Sequence, residues 1–246
     1  FDAFSEMNRE DARSGSAVAQ KASQVRADLA QQRRLLTPEW FAGWAEAAPP
    51  SMREPAFLVG FPRSGTTLLD TLLMGHPNGA VAEEEPMVAE IGASIGDVGR
   101  IAGMGTKEVE ALRNQYFEVA DRHVSDARLR LLIDKNPLAM GAMPIVHRLF
   151  PDAPVIFMER HPCDVVLSWF MTRFQPTGMG TNFASLEDAA LFYDEMMQLW
   201  TKSVEVLPVH VHVVRYERLV DDIEAELRPL AKFLGLEWFP QLLDHR

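Results

Sequence analysis

The stretch Phe57–Leu68 constrains the fold more than any other part of the chain. Phe57, Leu58 and Val59 form a short apolar run with strand character, and Gly60 and Pro62 end it. From Ser64 the residues are helix-compatible. Leu68, Leu69, Leu72 and Leu73 share one face of a 3.6-residue period, up to Gly75 and Pro77. The order is strand, tight loop, helix. Such a loop aims successive backbone N–H groups at one point, and the helix N-terminus adds partial positive charge. That is an anion site, most often for phosphate. Gly60 and Gly65 have the spacing of the nucleoside-triphosphate motif G-x-x-x-x-G-K-[ST], but Thr66 stands at its Lys position. The fixed cation is instead Arg63, whose guanidinium can grip an oxyanion bidentately and stays charged at any working pH. An ordinary glycine-containing turn of an α/β domain would explain the spacing alone.

The flanking sequence alternates strands and helices. Residues 1–48 read as a polar helical arm, with a helix over Ser16–Leu36. Thr37 then caps a second helix, about Glu39 to Ala47, with Pro38 at its first position. Trp40, Phe41 and Trp44 fall on one side of it and are expected to pack on the main domain. The opening eight residues resemble the end of a tetratricopeptide helix. Pro49-Pro50 ends the arm, and the main domain, 49–246, follows. Ala80–Ala82 leads into three acids, Glu83, Glu84 and Glu85. Residues 87–127 read as mostly helical, interrupted by a glycine-rich stretch from Gly92 to Gly105, with a helix over Lys107–Val124. Further strands are expected at Leu129–Ile133, Val155–Met158 and Val209–Tyr216. Further helices are expected at Met143–Phe150, from Pro162 to about Phe174, at Leu186–Val204 and at Leu219–Leu234. This alternation implies a mostly parallel sheet covered by helices on both faces.

Composition narrows the function. With 47% apolar residues and length 246, the chain can bury a substantial core. A net charge of −11 argues against a general nucleic-acid binder, which needs a basic surface. The one cysteine, Cys163, excludes an intrachain disulfide framework and is compatible with a reducing cytoplasm. No apolar run reaches membrane-spanning length.

In folds of this type ligands sit beyond the carboxyl ends of the strands. Four such ends carry suggestive residues: Arg63, the Glu83–Glu85 run, Asp134-Lys135, and Arg160 with Ser168 two turns into the next helix. Three adjacent acids are usually a solvated run, but a carboxylate entering the cleft could take a proton from an acceptor hydroxyl. Lys135 beside a phosphate loop is a candidate charge clamp for a departing oxygen. Taken alone, Arg160 reads first as a partner of Glu159 or Asp164, beside a packed Ser168. His147 and His161 show no metal-ligand cluster and read as structural.

Taken together, Pro62-Arg-Ser-Gly-Thr-Thr67, His76-Pro77 with Glu83-Glu84, Asp134-Lys135, Arg160-His-Pro-Cys-Asp-Val-Val-Leu-Ser168 and Arg215-Tyr-Glu217 resemble the sulfotransferases that use PAPS (3′-phosphoadenosine-5′-phosphosulfate). The closest subset is the bacterial tetratricopeptide-repeat sulfotransferases related to the tyrosylprotein enzymes. The resemblance runs from about Thr37 to Leu243. It implies a three-layer P-loop-like fold with a mostly parallel central sheet, and transfer of a sulfuryl group to a hydroxyl or amine acceptor with release of PAP. It implies that Arg63, Ser64, Gly65, Thr66 and Thr67 hold the 5′-phosphosulfate, that Arg160 and Ser168 bind the 3′-phosphate, and that Tyr216 lies near the nucleotide. Glu84 matches the general base and Lys135 the Lys that assists the departing phosphate. No metal is implied. Pro86 departs from the Arg that tyrosylprotein enzymes carry two positions after their base, so a peptide acceptor does not follow. The family's cofactor-closing segment, with a Ser and basic residues, is expected beyond Arg246. A nucleotide-dependent kinase and a non-catalytic scaffold are the alternatives. The first is disfavoured by Thr66, the second by the Arg63, Glu84, Lys135 and Arg160 set.

Overall fold

The computed structural model describes residues 4–7, 16–44, 51, 53–125, 128–172 and 185–243. Its centre is a five-stranded, wholly parallel sheet: β1 (Ala56–Val59), β2 (Gly79–Glu83), β3 (Leu131–Lys135), β4 (Pro154–Glu159) and β5 (His210–Arg215), in the spatial order β2-β3-β1-β4-β5. From β1 the chain crosses to the edge strand β2, returns with β3 to fill the gap beside β1, and then adds β4 and β5 on the other side. β1 is therefore central, and the loop after it opens between two neighbours.

Strand alternation sorts the apolar residues into two cores. Phe57 and Val59 of β1, with Val155 and Phe157 of β4, face one side. There they meet α4 (Met87–Ile95), α5 (Thr106–His123), α6 (Met143–Leu149), α7 (Pro162–Phe170) and α8 (Leu186–Val206). Phe157 stacks on Trp200 at 4.3 Å. Ala56 and Leu58, with Ile156 and Met158, face the other side. They pack on α3 (Thr66–Met74), α9 (Tyr216–Asp221) and α10 (Ile223–Phe233). Helices thus cover both faces, as parallel strands require.

The element order follows the sequence reading, with several revised boundaries. β3 begins at Leu131, not Leu129, which is 84% exposed, and it runs on through Asp134 and Lys135. Those two ionisable residues are buried because partners meet them, so the strand does not stop where its apolar run stops. The helix read from Leu219 to Leu234 is two helices, α9 and α10. They break at Asp222, whose carboxylate accepts from the Ala225 amide at 3.0 Å and caps α10. α7 ends at Phe170, short of Phe174. The glycine-rich stretch holds the end of α4 and a 3₁₀ turn over Val98–Gly103. The expected loop 175–183 lies outside the described residues.

The N-terminal part forms α1 (Ser16–Leu35) and α2 (Pro38–Ala42). Thr37 caps α2 as expected, its hydroxyl accepting from the Trp40 amide at 3.1 Å. α2 stops at Gly43, short of Ala47; residues 45–50 lie outside the described residues. Trp40, Phe41 and Trp44 pack on the main core, Phe41 and Trp44 flanking His147 at 5.7 and 6.0 Å between ring centroids. α1 docks on α8 through Arg26, which donates to both oxygens of Glu195 at 2.9 and 2.8 Å. Both side chains are about a third exposed, so solvent screening limits the pair to roughly 1 kcal/mol or less. Arg26→Ala should change global stability in urea by no more than that amount. It should nevertheless speed proteolytic cleavage within α1, because the pair's main effect is on local detachment of the helix.

Candidate active site

All five strands end at the same edge of the sheet, and each end delivers a side chain singled out in the sequence. β1 runs into the Gly60–Gly65 loop, β2 into Glu83 and Glu84, β3 ends at Lys135, β4 leads to Arg160, and β5 to Tyr216. Register fixes the neighbours: Leu58 and Glu83 both align with Lys135, and Glu159 aligns with Arg215.

The loop is built from close backbone approaches. A Cβ at Gly60 would lie 2.6 Å from the Met158 carbonyl oxygen. One at Gly65 would lie 2.4 Å from the Tyr216 ring, and Gly65 also has φ +102°. Only glycine fits either place. Gly65 caps α3 without any side-chain hydrogen bond, so the first-turn amides of α3 have no intrahelical or side-chain partner. Ser64 is buried, and its hydroxyl has no hydrogen-bond partner.

Arg63 and Glu84 are the non-glycine residues with positive φ among the described residues, at 74° and 55°. Each such conformation costs roughly 1–3 kcal/mol and persists only where its surroundings enforce it. At Arg63, the guanidinium Nε donates to Ser168 Oγ at 3.1 Å, and the backbone carbonyl accepts from Arg160 at 3.0 Å. At Glu84, the amide donates to the Lys135 carbonyl at 2.7 Å. Arg160 does not pair with Glu159 or Asp164. Its guanidinium lies over the Tyr216 ring at 4.4 Å, and its Nε is buried without a partner. Glu159 pairs with Arg215 at 2.9 Å instead. Glu217 accepts from the His161 amide at 2.9 Å, which holds its carboxyl below the usual range. Arg63, Ser64, Gly65, Arg160, Ser168 and Tyr216 are thus one connected cluster.

Lys135 forms the second cluster. It is fully buried, yet its Nζ lies 3.0 Å from Glu84 Oε1, 3.3 Å from Glu83 Oε1 and 3.1 Å from Asp70 Oδ2. Burial alone would pull the ammonium down; Glu84 and Asp70 outweigh it and hold it above the ordinary lysine value. The acid run is thereby sorted. Glu83 and Glu84 reach Lys135, while Glu85 pairs with His123 at 2.6 Å. Asp70, on the fifth residue of α3, was not singled out in the sequence. The signal was there: an acid on the helix face carrying Thr66 and Leu73, all three of which are buried. Among the described residues, no group of three or more His, Cys, Asp or Glu is arranged to hold a metal ion. No described helix is long and apolar enough to cross a membrane.

Comparison with known proteins agrees with this geometry. A sequence model of the sulfotransferase family matches residues 55–240. Nodulation protein NoeE of Sinorhizobium fredii is 29% identical over 211 residues, covering 74% of this chain and 50% of that protein. Protein-tyrosine sulfotransferase 2 of Gallus gallus is 28% identical over 212 residues, covering 77% of this chain and 53% of that one. The chain spans about half the length of these curated relatives. Among solved structures, the sulfotransferase domain of the Synechococcus PCC 7002 olefin synthase superposes with a TM-score of 0.51 at 25% identity, covering 82% of this chain and 81% of that one.

Asp134, next to Lys135, points to the opposite face of the sheet and accepts from the Tyr116 hydroxyl at 2.9 Å. Burial pushes its carboxyl up to about 7, against the pull of that hydroxyl. The folded protein therefore keeps a proton that the unfolded chain has already released. This contribution to stability is full below the ordinary Asp value of 3.8 and is lost as pH rises through about 7. In Asp134→Asn the fall in unfolding free energy between about pH 4 and pH 8 should shrink by on the order of 2–4 kcal/mol, read by urea denaturation.

Proposed function

Because the chain belongs to the sulfotransferase family, we propose that it transfers the sulfuryl group of PAPS to a hydroxyl or amine acceptor and releases PAP. The observation that carries this reading is the connected cluster of Arg63, Ser168, Arg160 and Tyr216 around an uncapped helix N-terminus. The residues fit an anionic nucleotide. Two buried donors, Ser64 Oγ and Arg160 Nε, have no protein partner, and the loop packs too closely for a Cβ at Gly60 or Gly65. When bound, PAPS would supply an activated sulfuryl group on a phosphosulfate.

In this reading Arg63, Ser64, Gly65, Thr66 and Thr67 hold the phosphosulfate end, and Arg160 and Ser168 hold the ribose 3′-phosphate. Tyr216, already under the Arg160 guanidinium, lines the nucleotide. Lys135 supplies an ammonium for charge that develops on the departing phosphate. Glu84 takes the acceptor's proton on its carboxylate, which requires it to leave Lys135. Most of the acceleration then comes from positioning and fixed charge. We assign 49–246 to the transferase domain and 1–48 to a helical arm, of which residues 1–36 are not needed for cofactor binding.

Calorimetry with PAP and ADP tests the donor. The two carry the same number of phosphates, but PAP places one on the ribose 3′ oxygen. A charged hydrogen bond contributes about 1.5–3 kcal/mol, and each 1.4 kcal/mol is about tenfold in Kd. PAP should bind at least on the order of tenfold more tightly than ADP. Arg160→Ala should remove most of that preference with little effect on ADP, whereas Arg63→Ala should weaken both. Equal binding of ADP and PAP by the wild type would move a kinase-like reading ahead. For the base, Glu84→Gln should leave PAP affinity nearly unchanged and lower kcat with labelled PAPS by roughly 10²-fold or more. Glu85→Gln, whose partner is His123, should do much less; full activity in Glu84→Gln would remove Glu84 from the mechanism.

A further inference from the structure

The three carboxylates around Lys135 differ in one respect. Glu83 and Glu84 are 53% and 61% exposed, whereas Asp70 is 1% exposed and Lys135 is 0% exposed. The two glutamates stand on the strand end and turn after β2, while Asp70 stands on α3, the helix whose N-terminus forms the anion site. We propose that Asp70 is a positioning residue: it tethers the Lys135 ammonium to the phosphate-loop helix, so that Glu84 can be released to the acceptor while Lys135 stays charged and in place. This rests on the sulfuryl-transfer reading for what Lys135 does. It does not rest on that reading for the tether itself.

Three physical points support it. A buried ammonium left without a carboxylate would lose its proton or drag water into the sheet, because an unpaired buried charge is costly. Exposed partners hold the charge less securely, since solvent screens them and a moving substrate would displace them. Second, a carboxylate one turn inside α3 opposes an anion at that helix's N-terminus unless a cation neutralises it. Lys135 does so as an ion pair at 3.1 Å, its pull opposing the burial that pushes the Asp70 carboxyl up. Third, the charged groups facing Lys135 come from α3 and from the end of β2, as Asp70, Glu83 and Glu84. Asp70 is the one that the protein, rather than solvent, encloses.

The test compares Asp70→Asn with the double variant Glu83→Gln/Glu84→Gln. Heteronuclear NMR of the Lys135 side chain in ligand-free protein reads its titration. Asp70→Asn should lower the midpoint by about 1–3 pH units, the scale of a lost opposite charge, and the double variant should lower it less. In turnover of labelled PAPS, Asp70→Asn should move the alkaline limb of the kcat profile down by a similar amount while largely keeping activity near pH 7. PAP affinity should change little, and Asp70→Glu should restore part of the limb. If Asp70→Asn does not fold, Asp70→Glu and the double variant still decide. A double variant in which Lys135 loses its proton near neutral pH would overturn the tether, as would an unmoved midpoint in Asp70→Asn. Absence of any PAPS turnover by the wild type would instead sink the sulfuryl-transfer reading, leaving the NMR comparison to judge Asp70.

Discussion

The site depends on how closely the backbone of the β1 loop can approach its neighbours. Gly60 lies against the Met158 carbonyl and Gly65 against the Tyr216 ring, at separations that no Cβ could share. These two contacts draw the ends of β1, β4 and β5 together, and the rest of the anion cluster follows. Arg63 is held at positive φ between them. Its carbonyl then meets Arg160 and its guanidinium meets Ser168. The strain at Arg63 is thus sustained by contacts from β4 and α7, neither of which is near it in sequence.

Much of this was legible from local pattern. Pro62-Arg-Ser-Gly-Thr-Thr67 identified a tight loop before a helix, because glycine spacing, a proline and a leucine stripe are short-range signals. What failed to show was long-range compensation. By its apolar run β3 ends at Ile133, because Asp134 and Lys135 are charged, yet the strand continues through both. Their partners, Tyr116, Asp70, Glu83 and Glu84, lie far away in sequence and become neighbours only through the sheet. Arg160 was readable as an ion-pair partner of Glu159. The β4–β5 register gives Glu159 to Arg215 instead and leaves Arg160 over an aromatic ring. Asp70 was missed for the same reason: its stripe on α3 was visible, but its cation was not.

The charge layout is instructive for an acidic chain. A net charge of −11 repels anions at long range. Arg63, Arg160 and Lys135 are nevertheless concentrated at one edge of the sheet, where the α3 N-terminus adds to them. Selectivity there comes from placement within a few ångströms, which bulk charge does not govern. The Asp70–Lys135 pair belongs to the same economy of placement, since it keeps a cation below the loop without exposing it.

The all-parallel sheet with β1 at its centre also orders events on the ribosome. β1 and its loop emerge early, but every strand that pairs with β1 comes later: β3 from Leu131 and β4 from Pro154. The ring that packs against Gly65 comes later still, at Tyr216. Until then the loop has no wall to close against, and β1 has two unpaired edges of buried-type apolar residues. Such non-local pairing is slow and leaves strand edges open to other chains. The anion site is therefore among the last features to form during synthesis, and its backbone geometry reports that the sheet as far as β5 has been assembled.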